Sequence, residues 1–250
     1  MSILAGKSAV VAGGGKNLGG LVSRHLAGLG ANVAVHYNSA ASEPAARETA
    51  AAVEAAGGAA LLFQGDLTDP ATVVELFDAA KQAFGGIDVA VNTVGKVLRK
   101  PILETTESEY DSMFAINSKA AYFFIKEAGR TLSDNGSLVT VVTALLGAFT
   151  DGYSTYAGGK SPVEHFNRAA AKEFGVRGIN VNAIAPGPMD TPFFYGQETP
   201  ERVEFHKSQG MGNRLTMIDD IAPIIDLLVT PGGHWITGQT LFANGGYTTR

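Results

Sequence analysis

The chain has 250 residues, of which 45% are hydrophobic and 17% charged, so its composition suits a large buried core and excludes intrinsic disorder. The net charge is −5, from 19 Lys and Arg against 24 Asp and Glu, and this acidic balance argues against a nucleic-acid-binding surface. No cysteine is present, which excludes disulfides, thiolate metal sites and a cysteine nucleophile. The 31 glycines exceed the average frequency, so their positions are informative.

The N-terminal segment MSILAGKSAVV lacks the basic end and the long apolar run of a signal peptide. No stretch approaches the roughly 20 consecutive apolar residues that a membrane-spanning helix needs. These features predict a cytoplasmic protein with neither a membrane nor a nucleic-acid partner.

Short apolar runs rich in β-branched residues alternate along the chain with longer helical patterns. The predicted strands are Ser8–Ala12, Asn32–His36, Ala59–Gln64, Ile87–Val91, Ser137–Thr143, Ile179–Ala183 and Thr240–Ala243. The predicted helices begin near Leu18, Ser42 and Pro70, and then cover Ser108–Leu132, Ser154–Gly175 and Ile218–Val229. Residues 186–217, which mix glycines with aromatic residues, are predicted to be irregular.

This alternation is typical of an α/β fold with a parallel sheet and helices on both faces. Right-handed crossovers then predict a doubly wound parallel sheet of about seven strands, in a single domain over residues 1–250. Ligands of such sheets bind beyond the carboxyl ends of the strands, so the residues that follow strands are the candidates for function.

A glycine-rich segment, Gly13-Gly14-Gly15-Lys16-Asn17-Leu18-Gly19-Gly20, joins the first predicted strand to the first helix. Glycines let the backbone turn tightly and approach a pyrophosphate, while a helix N-terminus offers free N–H groups and a positive dipole end. An ordinary glycine-rich turn is the alternative. The position after the first strand of a βαβ series favours a dinucleotide site.

Tyr156 and Lys160 lie four residues apart in a predicted helix, so their side chains share one face. A tyrosine hydroxyl titrates near 10, but a neighbouring ammonium stabilises the phenolate and lowers its pKa. The Tyr-x3-Lys spacing is common by chance, and its weight comes from the order of motifs along the chain. That order is the glycine loop, Asn117, Thr143, Tyr156, Lys160 and then Pro186-Gly187.

The spacing of Gly13 and Gly19, followed by Tyr156-x3-Lys160, resembles the short-chain dehydrogenase/reductase family over nearly the whole chain. The resemblance implies a Rossmann fold that binds a nicotinamide dinucleotide. The family has a further glycine where this chain has Asn17, and asparagine tolerates unusual backbone angles better than most residues.

The end of the second strand bears on which dinucleotide is bound. NAD-preferring relatives carry an acid there, whereas this chain has Asn38 and Ser39 and no acid before Glu43. Lys16 occupies a position where NADP-using relatives often have a basic residue, although a solvated loop lysine is the alternative. The resemblance therefore implies NADP(H), with Lys16, Asn38 and Ser39 near the 2′-phosphate.

Further cofactor contacts are implied after the later strands. Asp66 matches the position that binds the adenine amino group, although an ordinary turn acid is the alternative. Thr191 matches the segment that contacts the nicotinamide carboxamide. The full set implied for cofactor binding is Gly13, Lys16, Asn17, Leu18, Gly19, Asn38, Ser39, Asp66, Leu67, Asn92, Gly95, Tyr156, Lys160, Pro186, Gly187 and Thr191.

The resemblance also implies a mechanism, in which hydride passes from the nicotinamide to a carbonyl carbon while Tyr156 donates a proton to the oxygen. Lys160 would hold the nicotinamide ribose and tune Tyr156. Thr143, where the family usually has serine, would polarise the carbonyl; an ordinary strand residue is the alternative. Asn117 matches an asparagine that holds a proton-relay water, the alternative being a buried residue that caps or kinks a long helix.

The substrate pocket is expected to be mainly apolar, lined by Leu145, Phe149, Tyr153, Phe193 and Phe194 under a mobile lid, although several of these could simply pack the core. No charged clamp is evident, which favours an NADPH-dependent carbonyl reductase acting on a hydrophobic ketone or aldehyde, without a metal. Two alternatives stay open: a reductase of 3-oxoacyl thioesters on acyl-carrier protein or CoA, and a non-catalytic dinucleotide sensor. The family implies a homotetramer or a homodimer.

The thioester alternative depends on the C-terminal motif. Trp235-Ile-Thr-Gly-Gln-Thr-Leu241, followed by Gly245-Gly246, is similar to the 3-oxoacyl-thioester reductase branch. That branch usually has an acid where Asn244 stands. Asp134 is acidic near a surface where carrier-protein users tend to be basic, which weakens an acyl-carrier role.

Overall fold

The structure is a computed structural model that describes residues 2–250. Its strands form one parallel sheet in the order β3-β2-β1-β4-β5-β6-β7. They are β1 (Ser8–Ala12), β2 (Asn32–Tyr37), β3 (Ala60–Gln64), β4 (Ile87–Asn92), β5 (Leu132–Val141), β6 (Asn180–Pro186) and β7 (Thr240–Ala243).

Two layers of helices cover this sheet, one on each face. The helices are α1 (Asn17–Gly28), α2 (Glu43–Ala55), α3 (Pro70–Phe84), α4 (Glu107–Phe114), α5 (Ala120–Thr131), α6 (Ser154–Phe174), α7 (Pro192–Tyr195), α8 (Pro200–Gln209) and α9 (Ile218–Leu228). Apolar side chains of α3, α5 and α6 pack in one core, and those of α1, α2 and α9 pack in the other. No helix within residues 2–250 is long and apolar enough to cross a bilayer.

The first strand shows why the sheet lies in the centre. All five residues of β1 are buried, since side chains of a strand alternate between faces and both faces are covered. Val10 and Ala12 point into the α3–α5–α6 core, whereas Ala9 and Val11 point into the opposite core. The predicted fold class, a doubly wound parallel α/β sheet, is confirmed.

The order of strands reverses at β1, which pairs with β2 on one side and with β4 on the other. The carboxyl ends of β1 and β4 meet there, and the backbone N–H of Thr93 donates to the carbonyl of Ala12 at 3.0 Å. The loops that leave these two strands diverge to opposite faces and open a crevice, the usual ligand position in doubly wound sheets.

Three predicted elements differ from the structure. The predicted helix 108–132 is divided into α4 and α5 by a π turn, Ala115–Lys119. The strand β5 ends at Val141, so Thr143 lies two residues beyond it and caps a short 3₁₀ turn, Ala144–Leu146. Residues 186–217 are not irregular, because α7 and α8 both form within them.

Candidate active site

A cavity of about 710 Å³ lies in the crevice at the carboxyl edge of the sheet. Most of the residues that the sequence places in the site line it, although they come from the ends of six different strands, from the segments that follow these strands and from α6. They are Gly13, Lys16, Asn17, Leu18, Gly19, Asn38, Ser39, Asp66, Leu67, Gly95, Thr143, Leu145, Tyr153, Tyr156, Lys160, Pro186, Gly187, Thr191, Phe193 and Phe194. Asn92, Asn117 and Phe149 are not among the lining residues.

The glycine loop after β1 is shaped by a close approach of two backbone segments. A Cβ atom on Gly19 would lie 2.1 Å from the carbonyl oxygen of Gly13, so only glycine fits there. Gly13 has φ +73° and Asn17 has φ 49°, both in the left-handed region. The asparagine therefore adopts the backbone conformation that a glycine would favour, as the sequence suggested.

The open end of the cavity is suited to an anion. Lys16 is exposed and immediately precedes α1, whose first turn contains no acidic residue. Asn38 and Ser39 follow β2 and line the same end. Asp66 also lines it, with one carboxylate oxygen accepting the Thr68 N–H at 3.0 Å.

Tyr156 lies in the first turn of α6 and is buried, and this burial raises its pKa to about 12, while the neighbouring Thr143 hydroxyl acts in the opposite direction. The pKa is thus raised overall, contrary to the sequence-based expectation for a tyrosine paired with Lys160. The Lys160 ammonium donates to the carbonyl oxygens of Val94 at 3.0 Å and Val141 at 2.9 Å. The chain thus holds a protonated phenol beside the cavity at neutral pH.

Lys160 is itself buried, which lowers its pKa to about 8. Val94 lies just after β4 and Val141 is the last residue of β5, so the ammonium joins two strand ends. Gly95 makes room for this arrangement, since a Cβ atom on Gly95 would lie 3.0 Å from the Lys160 nitrogen. One N–H of the ammonium has no acceptor among these contacts and is available to a ligand in the cavity.

The Thr143 hydroxyl is oriented by the 3₁₀ turn that it caps. Its oxygen accepts the backbone N–H of Leu145 at 3.2 Å. Because that contact uses a lone pair, the hydroxyl hydrogen is left to donate elsewhere. The Thr143 hydroxyl can therefore polarise a substrate oxygen that lies between it and the Tyr156 phenol.

Asn117 lies within the π turn, fully buried. Its amide nitrogen donates to the carbonyls of Lys96 at 2.8 Å and Met113 at 3.0 Å, and its oxygen accepts the Lys96 N–H at 3.1 Å. Both amide hydrogens are therefore used on backbone groups, and the residue anchors the segment after β4. These contacts agree with the buried, helix-distorting alternative, while the expected role in holding a water stays a prediction.

Asn92 also acts on the backbone. Its side-chain oxygen accepts the Val94 N–H at 2.9 Å and so shapes the turn that brings Gly95 to the cavity. It is buried beneath the cavity wall and does not line it.

An aromatic wall faces the catalytic end of the cavity. The ring of Tyr156 lies 6.4 Å from that of Tyr153 and 6.3 Å from that of Phe193, measured between centroids. Leu145 and Phe194 extend this wall. The expectation for Phe149 is wrong: its side chain is fully exposed, because the chain leaves the sheet edge after the turn Ala144–Leu146. It borders a separate surface depression.

The chain is similar to known reductases and dehydrogenases. The family model described as Enoyl-(Acyl carrier protein) reductase matches residues 13–248. An NADPH-dependent aldehyde reductase-like protein of Arabidopsis thaliana is 32% identical, over 98% of this chain and 95% of its own. A hydroxynaphthalene reductase-like protein, Arp2, of Metarhizium majus is 34% identical, over 98% of this chain and 96% of its own.

A solved structure of a putative dehydrogenase from Burkholderia cenocepacia, with bound NADP, has a TM-score of 0.97 and 60% identity to this chain. The match covers 100% of this chain and 96% of that one. The chain belongs to the short-chain dehydrogenase/reductase family. The matches to the relatives and to the solved structure extend over almost the full length of the chain, so the family assignment does not depend on the glycine loop alone.

In this short-chain dehydrogenase/reductase, a buried charged cluster lies behind the aromatic wall. The side chain of Glu198 has no exposed surface, and its carboxylate lies 3.3 Å from Nε of Arg202 and 3.8 Å from Nε of Arg99. Nε2 of His206 lies 3.4 Å from the same carboxylate, and the Tyr153 hydroxyl donates to it. We call these five residues the Glu198 cluster.

The Glu198 cluster ties together three segments that surround the cavity. Arg99 follows β4, Tyr153 immediately precedes α6, and the other members lie in or just before α8. The sequence predicts Tyr153 in the substrate pocket, but the other four members carry no motif and are spread over more than a hundred positions, so sequence reasoning missed them. Asp151 lies 3.5 Å from Arg99 and 2.8 Å from Arg202, so the two guanidinium charges are balanced by two carboxylates. The cluster therefore holds α8 in place and does not act as a charged clamp on a ligand.

Replacing Glu198 by glutamine should loosen α8. The change removes the charge of a fully buried carboxylate, and the partly exposed guanidinium groups of Arg99 and Arg202 then keep only the exposed Asp151 as an anionic partner. Loss of one partner of a buried ion pair costs up to about 3 kcal/mol. We expect a lower melting temperature and a higher KM for the carbonyl substrate, since Tyr153 loses its acceptor charge. NADPH binding should change little.

The matched control is Glu204→Gln in the same helix, because Glu204 pairs with Lys207 on the surface and such pairs contribute little. Thermal melts and steady-state kinetics of the two variants measure the difference. Equal melting temperatures for the two variants would contradict a structural role for the cluster.

Proposed function

We propose that this chain is an NADPH-dependent carbonyl reductase, which converts a ketone or an aldehyde, hydrophobic in character, to an alcohol. The observation that carries the proposal is the meeting of Tyr156, Thr143 and Lys160 in one cavity with the glycine loop. The relatives named as NADPH-dependent or NADP-bound proteins support the choice of cofactor.

The residues present fit a nicotinamide dinucleotide. The glycine loop leaves a cradle that a Cβ atom on Gly19 would fill, and it leads into the N-terminus of α1, which suits a pyrophosphate. Thr191 lines the cavity with a buried hydroxyl that has no hydrogen-bond partner within residues 2–250. A buried hydroxyl without a partner suits a polar atom of the cofactor. We assign Thr191, together with Pro186 and Gly187, to the carboxamide end of the nicotinamide.

The other contacts follow from position. Lys16, Asn38 and Ser39 would hold the 2′-phosphate, and Asp66 would hold the adenine amino group. The free N–H of Lys160 would donate to the nicotinamide ribose. When bound, the reduced nicotinamide supplies the hydride that the substrate carbonyl carbon accepts.

The residues of the chain supply the proton and hold the substrate oxygen. Thr143 donates a hydrogen bond to the carbonyl oxygen, and Tyr156 transfers its phenolic proton to the same oxygen as hydride reaches the carbon. Because burial raises the pKa of Tyr156 to about 12, the phenol is protonated at neutral pH in the form that reduction requires. The aromatic wall excludes water from the reacting atoms and favours an apolar substituent.

Two wider features belong to this proposal. We place the enzyme in the cytoplasm, and we expect a homotetramer or a homodimer. Leu103 and Trp235 support an assembly, because their large apolar side chains are almost fully exposed in a single chain. Light scattering of the purified protein measures the assembly state.

The direct test follows the absorbance of NADPH with a panel of aromatic ketones, β-keto esters, aldehydes and 3-oxoacyl thioesters. Turnover of ketones or aldehydes supports the proposal. Turnover restricted to thioesters would favour a 3-oxoacyl-thioester reductase. Binding of NADPH without turnover of any member would contradict the enzyme and favour a dinucleotide sensor.

The variant Lys16→Ala tests the placement of the 2′-phosphate. A charged hydrogen bond to phosphate contributes roughly 2 kcal/mol, so NADPH affinity should fall more than tenfold. NADH lacks that phosphate, and its affinity should stay within twofold, which makes it the internal control. Calorimetric titration with both cofactors measures the ratio. Equal losses for the two would remove Lys16 from the 2′-phosphate site.

A further inference from the structure

His36 is a buried side chain near the end of β2, and none of the sequence motifs includes it. The residue is 2% exposed, and it uses both ring nitrogens. Its Nδ1 accepts the backbone N–H of Gly13 at 3.0 Å, and its Nε2 lies 2.9 Å from the carbonyl oxygen of Gly65. One imidazole therefore bridges the glycine loop and the loop that follows β3.

The two partners fix the tautomer of the ring. A backbone N–H can only donate, so Nδ1 must be the acceptor toward Gly13. A carbonyl can only accept, so the proton must lie on Nε2 and be donated to Gly65. Burial lowers the pKa of His36, which agrees with a neutral ring. The tilted ring of Phe63, with its centroid 6.4 Å away, packs beside it.

The loops joined by His36 line the two sides of one end of the cavity. Gly13 begins the glycine loop and has the left-handed conformation, φ +73°, that opens it toward a pyrophosphate. Gly65 immediately precedes Asp66, which lines the cavity on the other side. A separate backbone bond, from the N–H of Gly65 to the carbonyl of Tyr37 at 3.0 Å, attaches the second loop to β2. Within residues 2–250, His36 is the only side chain that hydrogen-bonds both to the loop after β3 and to the glycine loop.

We propose that His36 is a positioning residue for the adenosine half of NADP(H), and this inference depends on the proposed cofactor. It sets the separation between the glycine loop, which receives the pyrophosphate, and Asp66, which receives the adenine. A neutral aromatic spacer with one acceptor and one donor satisfies both loops without adding charge next to the phosphates. The catalytic end, with Tyr156 and Thr143, is held by other contacts and does not depend on His36.

Three substitutions separate the two bonds. His36→Phe keeps an aromatic ring and removes both hydrogen bonds. His36→Asn can keep an acceptor near the Nδ1 position for Gly13, and His36→Gln can keep a donor near the Nε2 position for Gly65. His165→Phe is the matched control, because His165 is an exposed residue of α6 outside the cavity.

The experiment measures the Kd of each protein for NADPH and for 2′,5′-ADP, which represents the adenosine half, together with kcat at saturating NADPH. For His36→Phe we expect both Kd values to rise at least tenfold and kcat to change less than twofold. The asparagine and glutamine variants should each recover part of the lost affinity. The His165 control should match the wild type.

Unchanged Kd values for His36→Phe, or a fall in kcat without a change in Kd, would overturn the inference. If His36→Phe does not fold, the asparagine and glutamine variants provide the test. Wild-type Kd values for both of them would equally overturn the inference. Failure of the wild-type protein to bind either NADPH or 2′,5′-ADP would contradict the proposed cofactor instead, so the two failures are distinguishable.

Discussion

The variant Tyr156→Phe should lose NADPH-dependent reduction almost completely, by about 10³-fold or more in kcat, because general acid catalysis contributes up to about 10⁴-fold. The change removes the phenol that lies beside the Thr143 hydroxyl, whereas the hydroxyl of the nearby Tyr153 already donates to Glu198. The ring itself is retained, so its contact with Phe193 and the shape of the cavity should persist. The Kd for NADPH should therefore stay within about twofold of the wild-type value.

Tyr122→Phe is the control for loss of a tyrosine hydroxyl, since Tyr122 is half-exposed on α5 and does not line the cavity. Stopped-flow or steady-state measurements at saturating NADPH, with fluorescence titration of the cofactor, give the two quantities. Turnover of Tyr156→Phe near the wild-type rate would remove the assigned proton donor. A large loss of NADPH binding would mean that the hydroxyl serves the cofactor instead.

The variant Gly19→Ala should lose measurable NADPH binding. Its Cβ atom would lie 2.1 Å from the Gly13 carbonyl oxygen and 2.7 Å from the Thr93 hydroxyl, so the glycine loop and the loop after β4 must move apart. Overpacking of this kind costs about 1–3 kcal/mol, and the displaced backbone no longer fits a pyrophosphate. We expect a lower melting temperature and a Kd raised at least a hundredfold.

Gly28→Ala supplies the matched control because it changes the other end of the same helix, α1. A Cβ atom on Gly28 would meet nothing within 4 Å. Alanine favours helix over glycine by up to about 1 kcal/mol, so this variant should be as stable as the wild type or slightly more so. Its NADPH affinity should be unchanged. Tight NADPH binding by Gly19→Ala would contradict the close approach of the two loops.

The parallel sheet could be predicted from the sequence because each of its strands is a short apolar run that ends at a turn signal. The start of β5 differs most from its predicted bound. Leu132 pairs with Ile87, but the main ladder begins at Ser137, and a register shift separates the two. The intervening polar residues, with Asn135 at φ 62°, carry no strand pattern, so the sequence indicated only the regular part.

The helices in the region predicted as irregular each begin at a local sequence signal. Thr191-Pro192 and Thr199-Pro200 each place a threonine before a proline at the first helical position, and both helices begin there. The side chain of Thr199 accepts the Arg202 N–H at 3.4 Å, as an N-cap does. Glycines and polar residues surround these Thr-Pro pairs, so the sequence there shows no helical spacing of apolar residues.

The candidate site was predictable where a motif fixes the residue and not where only the fold brings residues together. Tyr156 and Lys160 share one helix, so their spacing carried the information. His36 and Glu198 owe their environments to partners from distant segments, which no local pattern reveals. The pKa of Tyr156 illustrates the same limit, since burial in the fold raises it and the local Tyr-x3-Lys spacing does not reveal that burial.

The pairing of β1 with β4 also governs how the protein reaches its folded state. The Thr93 side chain donates to the Ala12 carbonyl across 81 residues of chain, in the middle of the sheet. Non-local parallel pairs of this kind form slowly, because closing the long intervening loop costs conformational entropy before the contact is made. The cofactor cleft lies where β1 and β4 meet, so we expect NADPH to bind only after these strands have paired. We expect the dinucleotide to prolong the lifetime of the folded enzyme, by mass action on the native state, without hastening its formation.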